Sequence, residues 1–217
     1  MRVTEAYLEL MASPLDRAAR PIAEMCQDTE EGHREYGPEI ADFSVTPATY
    51  LNRLIPPYNG PKTHGDTLYN DVVATIISNP SYDSVLDLGC GSGHLLAQLH
   101  RHGFSPRNLY GVTIHIGECK VAHEMGLPEV APIDMRTIDK YFLPESFDCV
   151  VSFWGMNHIN YPDRVAVVQQ AHRILRSGGL FIAVDYQNDN KTRIPQGLFD
   201  TEQVRPSKAG RVYEGYK

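Results

Sequence analysis

The stretch DLGCGSGH, residues 87–94, constrains this chain more than any other. It follows a short apolar run, SVLDLG, and precedes HLLAQLHRHG, so it reads as the turn between a strand and a helix. Gly89, Gly91 and Gly93 let the backbone turn sharply and approach a ligand without Cβ interference, while the helix that follows aims its free N–H groups at that ligand. A dinucleotide fingerprint, GxGxxG, would need glycine at 94 or 96; the sequence has His94 and Leu96. Asp87 instead stands near the strand end, where a carboxylate reaches a cationic amine.

The surrounding pattern extends that unit into a layered sheet. Strands are predicted at 84–89, 108–113, 128–134, 147–154 and 180–186, with helices at 94–103, 117–126 and 164–179, the last ended by glycines. Alternation at this spacing implies parallel crossovers and an α/β, doubly wound, mostly parallel sheet. Upstream, LYNDVVATIIS carries the stripe of an amphipathic helix over 67–78, ended by Asn79-Pro80. Tyr7, Leu8, Leu10 and Met11 have helical spacing before Ser13-Pro14, and a second apolar piece runs over 47–55 before Pro56-Pro57. The expected organisation is a helical cap over 1–66 that serves as a substrate lid, and a ligand-binding domain over 67–217. No internal repeat or low-complexity segment interrupts it.

Composition narrows the partners. A formal charge of -7 over 217 residues, with no long Lys/Arg cluster, argues against nucleic acid. Cys26, Cys90, Cys119 and Cys149 form no CxxC pair and no zinc spacing with histidine, so they read as reduced thiols of a cytoplasmic protein, and no metal is expected. MRVTEAYLELMASPLDRAARPI holds no long apolar run, which argues against a secretory signal, and no segment approaches a membrane span.

The D-x-G-x-G-x-G form suits S-adenosylmethionine (SAM) better than NAD, and four motifs in order resemble the class I SAM-dependent methyltransferases between Val85 and Tyr186. VLDLGCGSGHL resembles their first motif, implying cofactor contacts from Asp87, Gly89, Cys90, Gly91, Gly93 and His94. IDM at 133–135 resembles the segment that reads the adenine, with Asp134 accepting from the amino group and the Met135 N–H on the ring. FDCVVSFWGMNHI at 147–159 resembles the fourth-strand motif and brings Phe153 and Trp154 to the cofactor; RILRSGGLFIAVDY resembles the closing helix and fifth strand.

The second strand departs from the common pattern, because it ends in Thr113 where an acidic residue usually grips the ribose. GVTIHIGE resembles the G-V-T-[LI]-S-x-x-Q stretch of the cyclopropane fatty acid synthase and mycolic acid methyltransferase branch, which also resembles enzymes that C-methylate prenyl diphosphates. There a glutamine five residues after the threonine binds the ribose. Position for position, the resemblance assigns that task to Glu118, with Thr113 and Ile114 beside it. IDMR likewise parallels that branch's D-[YM]-R.

Methyl transfer is an in-line displacement, so positioning and desolvation dominate and a base is needed only where the nucleophile carries a proton. His158 occupies the place of the family's active-site histidine, and the alternative is that it holds its loop by a hydrogen bond. Tyr58 and His64, in PPYNGPKTHGD, fall where the family's N-terminal segment closes over SAM, and Arg53 and Lys62 with His64 offer charge to an anionic group. The cyclopropane-forming members place a glutamate where this chain has Asn157, which disfavours cyclopropanation. FDTEQVRPSKAGRVYEGYK resembles the family's last helix and sixth strand, after which a seventh strand normally follows; the resemblance implies either that this last strand is missing or that another subunit completes the sheet edge, as in a homodimer.

The resulting reading is a SAM-dependent methyltransferase acting on a small molecule of specialised metabolism. C-methylation of a prenyl diphosphate or other alkene and a non-catalytic SAM-binding partner module stand as alternatives, and an NAD-dependent oxidoreductase is disfavoured by the glycine spacing.

Overall fold

The Val-, Leu- and Phe-rich runs become the strands of one seven-stranded sheet in the computed structural model. The structure describes residues 2–13, 64–185, 197–206 and 211–217, the side chains at 64–67, 157, 185 and 206 excepted. In chain order the elements are α1 Glu5–Ala12, α2 His64–Ile77, β1 Val85–Leu88, α3 His94–Arg101, β2 Leu109–Thr113, α4 Ile116–Glu124, β3 Val130–Pro132, β4 Phe147–Phe153, α5 Tyr161–Ile174, β5 Leu175–Asp185, β6 Thr201–Pro206 and β7 Arg211–Tyr216. The sheet order is β3-β2-β1-β4-β5-β7-β6. The first five strands run parallel, β7 pairs antiparallel with β5, and β6 antiparallel with β7. The chain steps outward from β1 to β2 and β3, then returns to place β4 on the other side of β1. That reversal opens a crevice at the carboxyl ends of the strands.

Residues alternate between the two sheet faces. Leu86, Leu88, Val112, Val150 and Phe181 pack against Val167, Val168, Ala171 and Ile174 of α5, whereas Val85, Leu109, Cys149, Val151 and Ile182 meet α2, α3 and α4 through Val72, Ile76, Leu95, Leu99 and Cys119. Each buried aliphatic side chain contributes about 1.5–3 kcal/mol, so burial on both faces fixes the layers. Caps set the ends: Asn160 Oδ1 accepts from Asp163 N at 3.0 Å at the start of α5, and Thr4 Oγ1 accepts from Tyr7 N at 3.4 Å at the start of α1. α1 packs Tyr7 against Tyr110 and Phe142, and the tyrosine hydroxyl donates to Glu129 O at 3.1 Å.

Two expectations are corrected. The helix predicted over 164–179 ends at Ile174; Leu175 turns extended and pairs with Phe147, after which the register jumps so that Cys149 faces Leu180. RSGG forms the bulge within β5, where Gly178 N donates to Lys217 O at 2.5 Å and Lys217 N to Gly179 O at 3.1 Å. The C-terminal region holds no helix over TEQVRP and the sheet is not short of a strand. TEQVRP is β6, and it forms with β7 the hairpin that brings the sheet to seven strands. The association expected from a missing strand loses that ground. Of the cap predicted over 1–66, residues 14–63 lie outside the described residues, including the piece at 47–55. Among the described residues no helix is long and apolar enough to cross a membrane.

Candidate functional site

Four loops at the carboxyl ends of the strands converge on one cleft of about 240 Å³. β1 contributes Gly89; the end of β2 contributes Val112 through His115, with Glu118 from the first turn of α4; the segment after β3 contributes Ile133 to Met135; the turn after β4 contributes Gly155 and His158. Seven residues expected at the site are therefore brought together: Gly89, Thr113, Ile114, Glu118, Asp134, Met135 and His158.

The loops are locked to one another before any ligand is considered. Gly89 N and Cys90 N both donate to Val112 O, at 2.9 and 3.0 Å, tying the glycine turn to β2. Gly89 adopts φ +74°, and a Cβ there would come within 2.8 Å of Gly155 Cα; a Cβ on Gly155 would in turn run into Leu88 O. Ser152 Oγ donates to Leu88 O at 3.1 Å and accepts from Met156 N at 3.1 Å, clamping the turn after β4 against β1.

Glu118 is 8% exposed, and its Oε2 accepts a short hydrogen bond from Thr113 Oγ1. Thr113 Oγ1 also accepts from His115 N at 3.3 Å, and a Cβ on Gly91 would lie 3.5 Å from Glu118 Oε1. The carboxylate thus stands between the end of β2 and the glycine turn, although it belongs to a helix. Asp134 is 4% exposed and caps the 3-10 turn Met135–Lys140, accepting from Arg136 N at 2.9 Å. Its two oxygens also face the Arg136 guanidinium, with Nε at 3.0 and 3.1 Å and NH2 at 2.6 Å.

Asp87 does not line the cleft. It is 2% exposed, and its Oδ1 has no hydrogen-bond partner among the described residues. Burial alone pushes its carboxyl from 3.8 up to about 8. Cys90 is buried, its thiol pushed well up by burial, and its Sγ donates to Gly91 O at 3.3 Å; a Cβ on Gly111 would lie 2.6 Å from that sulfur. The side chain is turned towards β2, so any contact of Cys90 with a ligand falls to its backbone. Gly91 and Gly93 shape the turn without lining the cleft.

His94, Phe153 and Trp154 also fall outside the cleft lining; the first two pack on Tyr69 of α2 and Trp154 packs on Phe153. Tyr69 stacks on Phe153 with centroids 3.8 Å apart and meets His94 edge-on at 5.5 Å, while Phe153 meets Trp154 at 4.8 Å. Trp154 holds φ +62° with its N–H donated to Val184 O at 3.0 Å, a backbone state that a bulky residue rarely adopts. Tyr58, Arg53 and Lys62 lie outside the described residues, as do the side chains of His64 and Asn157.

Sequence reasoning missed Gly155, His115 and Ser152, and gave Arg136 no role. A glycine and a serine flanking the end of a buried strand were the available signal for the β4 turn; nothing in the sequence marks His115 as a cleft residue. Among the described residues the lining supplies two carboxylates and two histidines and no lysine or arginine. Such acceptors suit a ligand that brings hydroxyl and amino donors. Among the described residues no group of three or more His, Cys, Asp or Glu could hold a metal ion.

Comparison with known proteins agrees with the fold. The family model described as a methyltransferase domain matches residues 85–179. A protein of Oceanobacillus iheyensis named as an uncharacterized methyltransferase is 24% identical over 123 residues, covering 57% of this chain and 55% of that protein. The chain thus spans about half the length of the curated relatives it matches. A Pyrococcus horikoshii protein of known structure superposes with a TM-score of 0.57 at 17% identity, over 77% of this chain and 97% of its own. The magnesium protoporphyrin IX methyltransferase of Synechocystis, solved with bound S-adenosylhomocysteine, gives 0.56 at 13% identity, over 78% and 95%. The sheet is that of the Rossmann-like methyltransferases.

Proposed function

We propose, from a chain that carries a methyltransferase domain on the class I SAM-dependent methyltransferase fold, that this protein binds SAM in the cleft and transfers its methyl group to a small-molecule acceptor. The observation that carries the reading is the convergence of four separated segments, at Gly89, Thr113 to Glu118, Ile133 to Met135 and Gly155 to His158, on that one cleft. The residues present fit the cofactor. Asp87 Oδ1, buried without a donor among the described residues, matches the cationic amine of its amino-acid end; Glu118 with Thr113 matches a ribose diol; Asp134 matches the adenine amino group.

When bound, the cofactor supplies an electrophilic methyl group on a sulfonium. The chain's own residues then bind, orient and exclude water. The locked contact between the Gly89 and Gly155 turns fixes the floor on which the reacting groups meet, which is where most of the rate advantage of a displacement arises. His158, exposed at the rim of the cleft, takes the proton from an acceptor hydroxyl or amine at its imidazole nitrogen. O- or N-methylation is the form this histidine favours. The resemblance of GVTIHIGE to the branch that C-methylates prenyl diphosphates supports methylation of an alkene as the second reading, and the Thr113–Glu118 hydrogen bond is consistent with it. With Asn157 in place of a glutamate, plain methyl transfer is preferred to cyclopropanation. The scattered cysteines, three of them free and buried, suit a cytoplasmic enzyme of specialised metabolism.

Calorimetric titration with SAM, S-adenosylhomocysteine and NAD tests the reading. Binding of the first two and not the third supports it, and binding of NAD in preference to SAM would sink it. Formation of S-adenosylhomocysteine from SAM in the presence of an acceptor panel then separates an enzyme from a non-catalytic SAM-binding module.

A further inference from the structure

Asp134 enters the cleft with both oxygens already engaged from behind. Arg136 sends its backbone N–H to Oδ1 at 2.9 Å and its guanidinium to both oxygens, through Nε at 3.1 and 3.0 Å and NH2 at 2.6 Å. Arg136 itself does not line the cleft. Its NH1 reaches Asp163 Oδ2 in the first turn of α5 at 3.3 Å, so one guanidinium bridges the cleft carboxylate and a helix on the face of the sheet. A second tie holds the same turn: Gln170 of α5 donates through Nε2 to Arg136 O at 2.9 Å and accepts at Oε1 from Asp139 N at 3.2 Å.

We propose that Arg136 is a positioning residue for nucleobase recognition: it fixes the Asp134 carboxylate in the one orientation that presents an acceptor to the exocyclic amino group of the cofactor's adenine. This rests on the assignment of Asp134 made above. A bidentate guanidinium defines the plane of a carboxylate as well as its charge, whereas a lysine at the same place supplies a point charge without a plane. It also offsets the cost of holding a carboxylate at 4% exposure. Arg136 engages each oxygen of Asp134 and so holds it against turning to solvent, and each oxygen keeps a further in-plane lone pair that can accept from a ligand in the cleft that Asp134 lines. Asp163 and Gln170 keep the arginine from following the carboxylate outward. The consequence is selectivity rather than gross affinity, because an acceptor held in place rewards an amino group and penalises a carbonyl at the same position.

The test uses two ligands that need no turnover, S-adenosylhomocysteine and S-inosylhomocysteine, in which a carbonyl replaces the amino group. Calorimetric affinities are measured for the wild type, Asp134→Asn, Arg136→Lys and Arg136→Ala. The wild type is expected to prefer the adenosyl ligand by about 10- to 100-fold, the worth of one hydrogen bond to a charged group. Arg136→Ala should collapse most of that ratio, and Arg136→Lys part of it, chiefly by weakening the adenosyl ligand. A structural role alone would weaken both ligands equally and leave the ratio intact; that result overturns the proposal. If Asp134→Asn leaves the ratio unchanged, the assignment of Asp134 to the adenine fails first and takes the proposal with it. If Asp134→Asn collapses the ratio and neither arginine variant does, only the role of Arg136 is refuted. Should Arg136→Ala not fold, Arg136→Lys and Asp163→Asn, which releases the outer end of the guanidinium, give the same comparison.

Discussion

Replacing Asp87 by asparagine should make the protein more stable at alkaline pH and less able to bind SAM. The carboxyl is 2% exposed, Oδ1 lacks a donor, and burial alone raises it from 3.8 to about 8. A folded-state value above the unfolded one means that the native protein keeps a proton that the unfolded chain releases. The stabilising effect of that proton is complete below about pH 4 and is lost as pH rises through about 8. Within that window each pH unit costs about 1.4 kcal/mol, and the whole span is worth on the order of 6 kcal/mol. The nearby thiols of Cys90 and Cys149 are pushed upward by burial and do not titrate in the window. Urea unfolding of wild type and Asp87→Asn between about pH 5 and about pH 9 should therefore show curves that converge in acid and part steadily towards alkali, the variant lying above. The same carboxyl should give up its proton when a cationic ligand arrives, so SAM titrations in buffers of different ionisation enthalpy should reveal proton release at about pH 7 that Asp87→Asn abolishes. Parallel stability curves for the two proteins across the whole range would refute the account of Asp87 as a buried carboxyl whose Oδ1 has no donor among the described residues.

Further outcomes follow from the other contacts. Glu118→Ala should weaken SAM by about 10- to 100-fold with little change in melting temperature, read by calorimetry and thermal unfolding together. Gly155→Ala forces a Cβ into Leu88 O and the Gly89 turn; it should cost about 1–3 kcal/mol in urea unfolding. His158→Gln should lower turnover of a proton-bearing acceptor by about 100-fold or more while SAM affinity stays within twofold, measured as S-adenosylhomocysteine release.

The fold was largely legible because burial on both faces writes parallel strands as continuous apolar runs, as in FDCVVSF and VLDL. What the sequence hid were effects of pairing. RSGG reads as a helix stop, yet its fate is decided by Phe147, which pairs with the preceding Leu175, and by Lys217 just after β7, which bonds Gly178 and Gly179. TEQVRP has a glutamate, a glutamine and an arginine that suit a helix; it is a strand because β7 offers it a complete ladder, with Gln203 and Arg205 both reaching the buried Glu214. The cleft was legible where motif and backbone coincide, at Gly89, Thr113, Glu118 and Asp134. It was not legible where two loops from distant strands meet: Gly155 is a spacer in sequence and an obligate neighbour of Gly89 in space. Nor could spacing reveal that Phe153 and His94 would pack on Tyr69, with Trp154 on Phe153.

That aromatic gathering has an optical consequence. Trp154 is the chain's only tryptophan, and the residue after it forms part of the cleft wall. Its indole is partly buried, packed on Phe153, and held by a left-handed backbone that any movement of the β4 turn must disturb. Excited at wavelengths that spare the twelve tyrosines, the molecule emits from a single fluorophore beside the cleft. Ligand entry can then be followed as a change in indole emission, in the native chain and on the millisecond scale of mixing, with no label added.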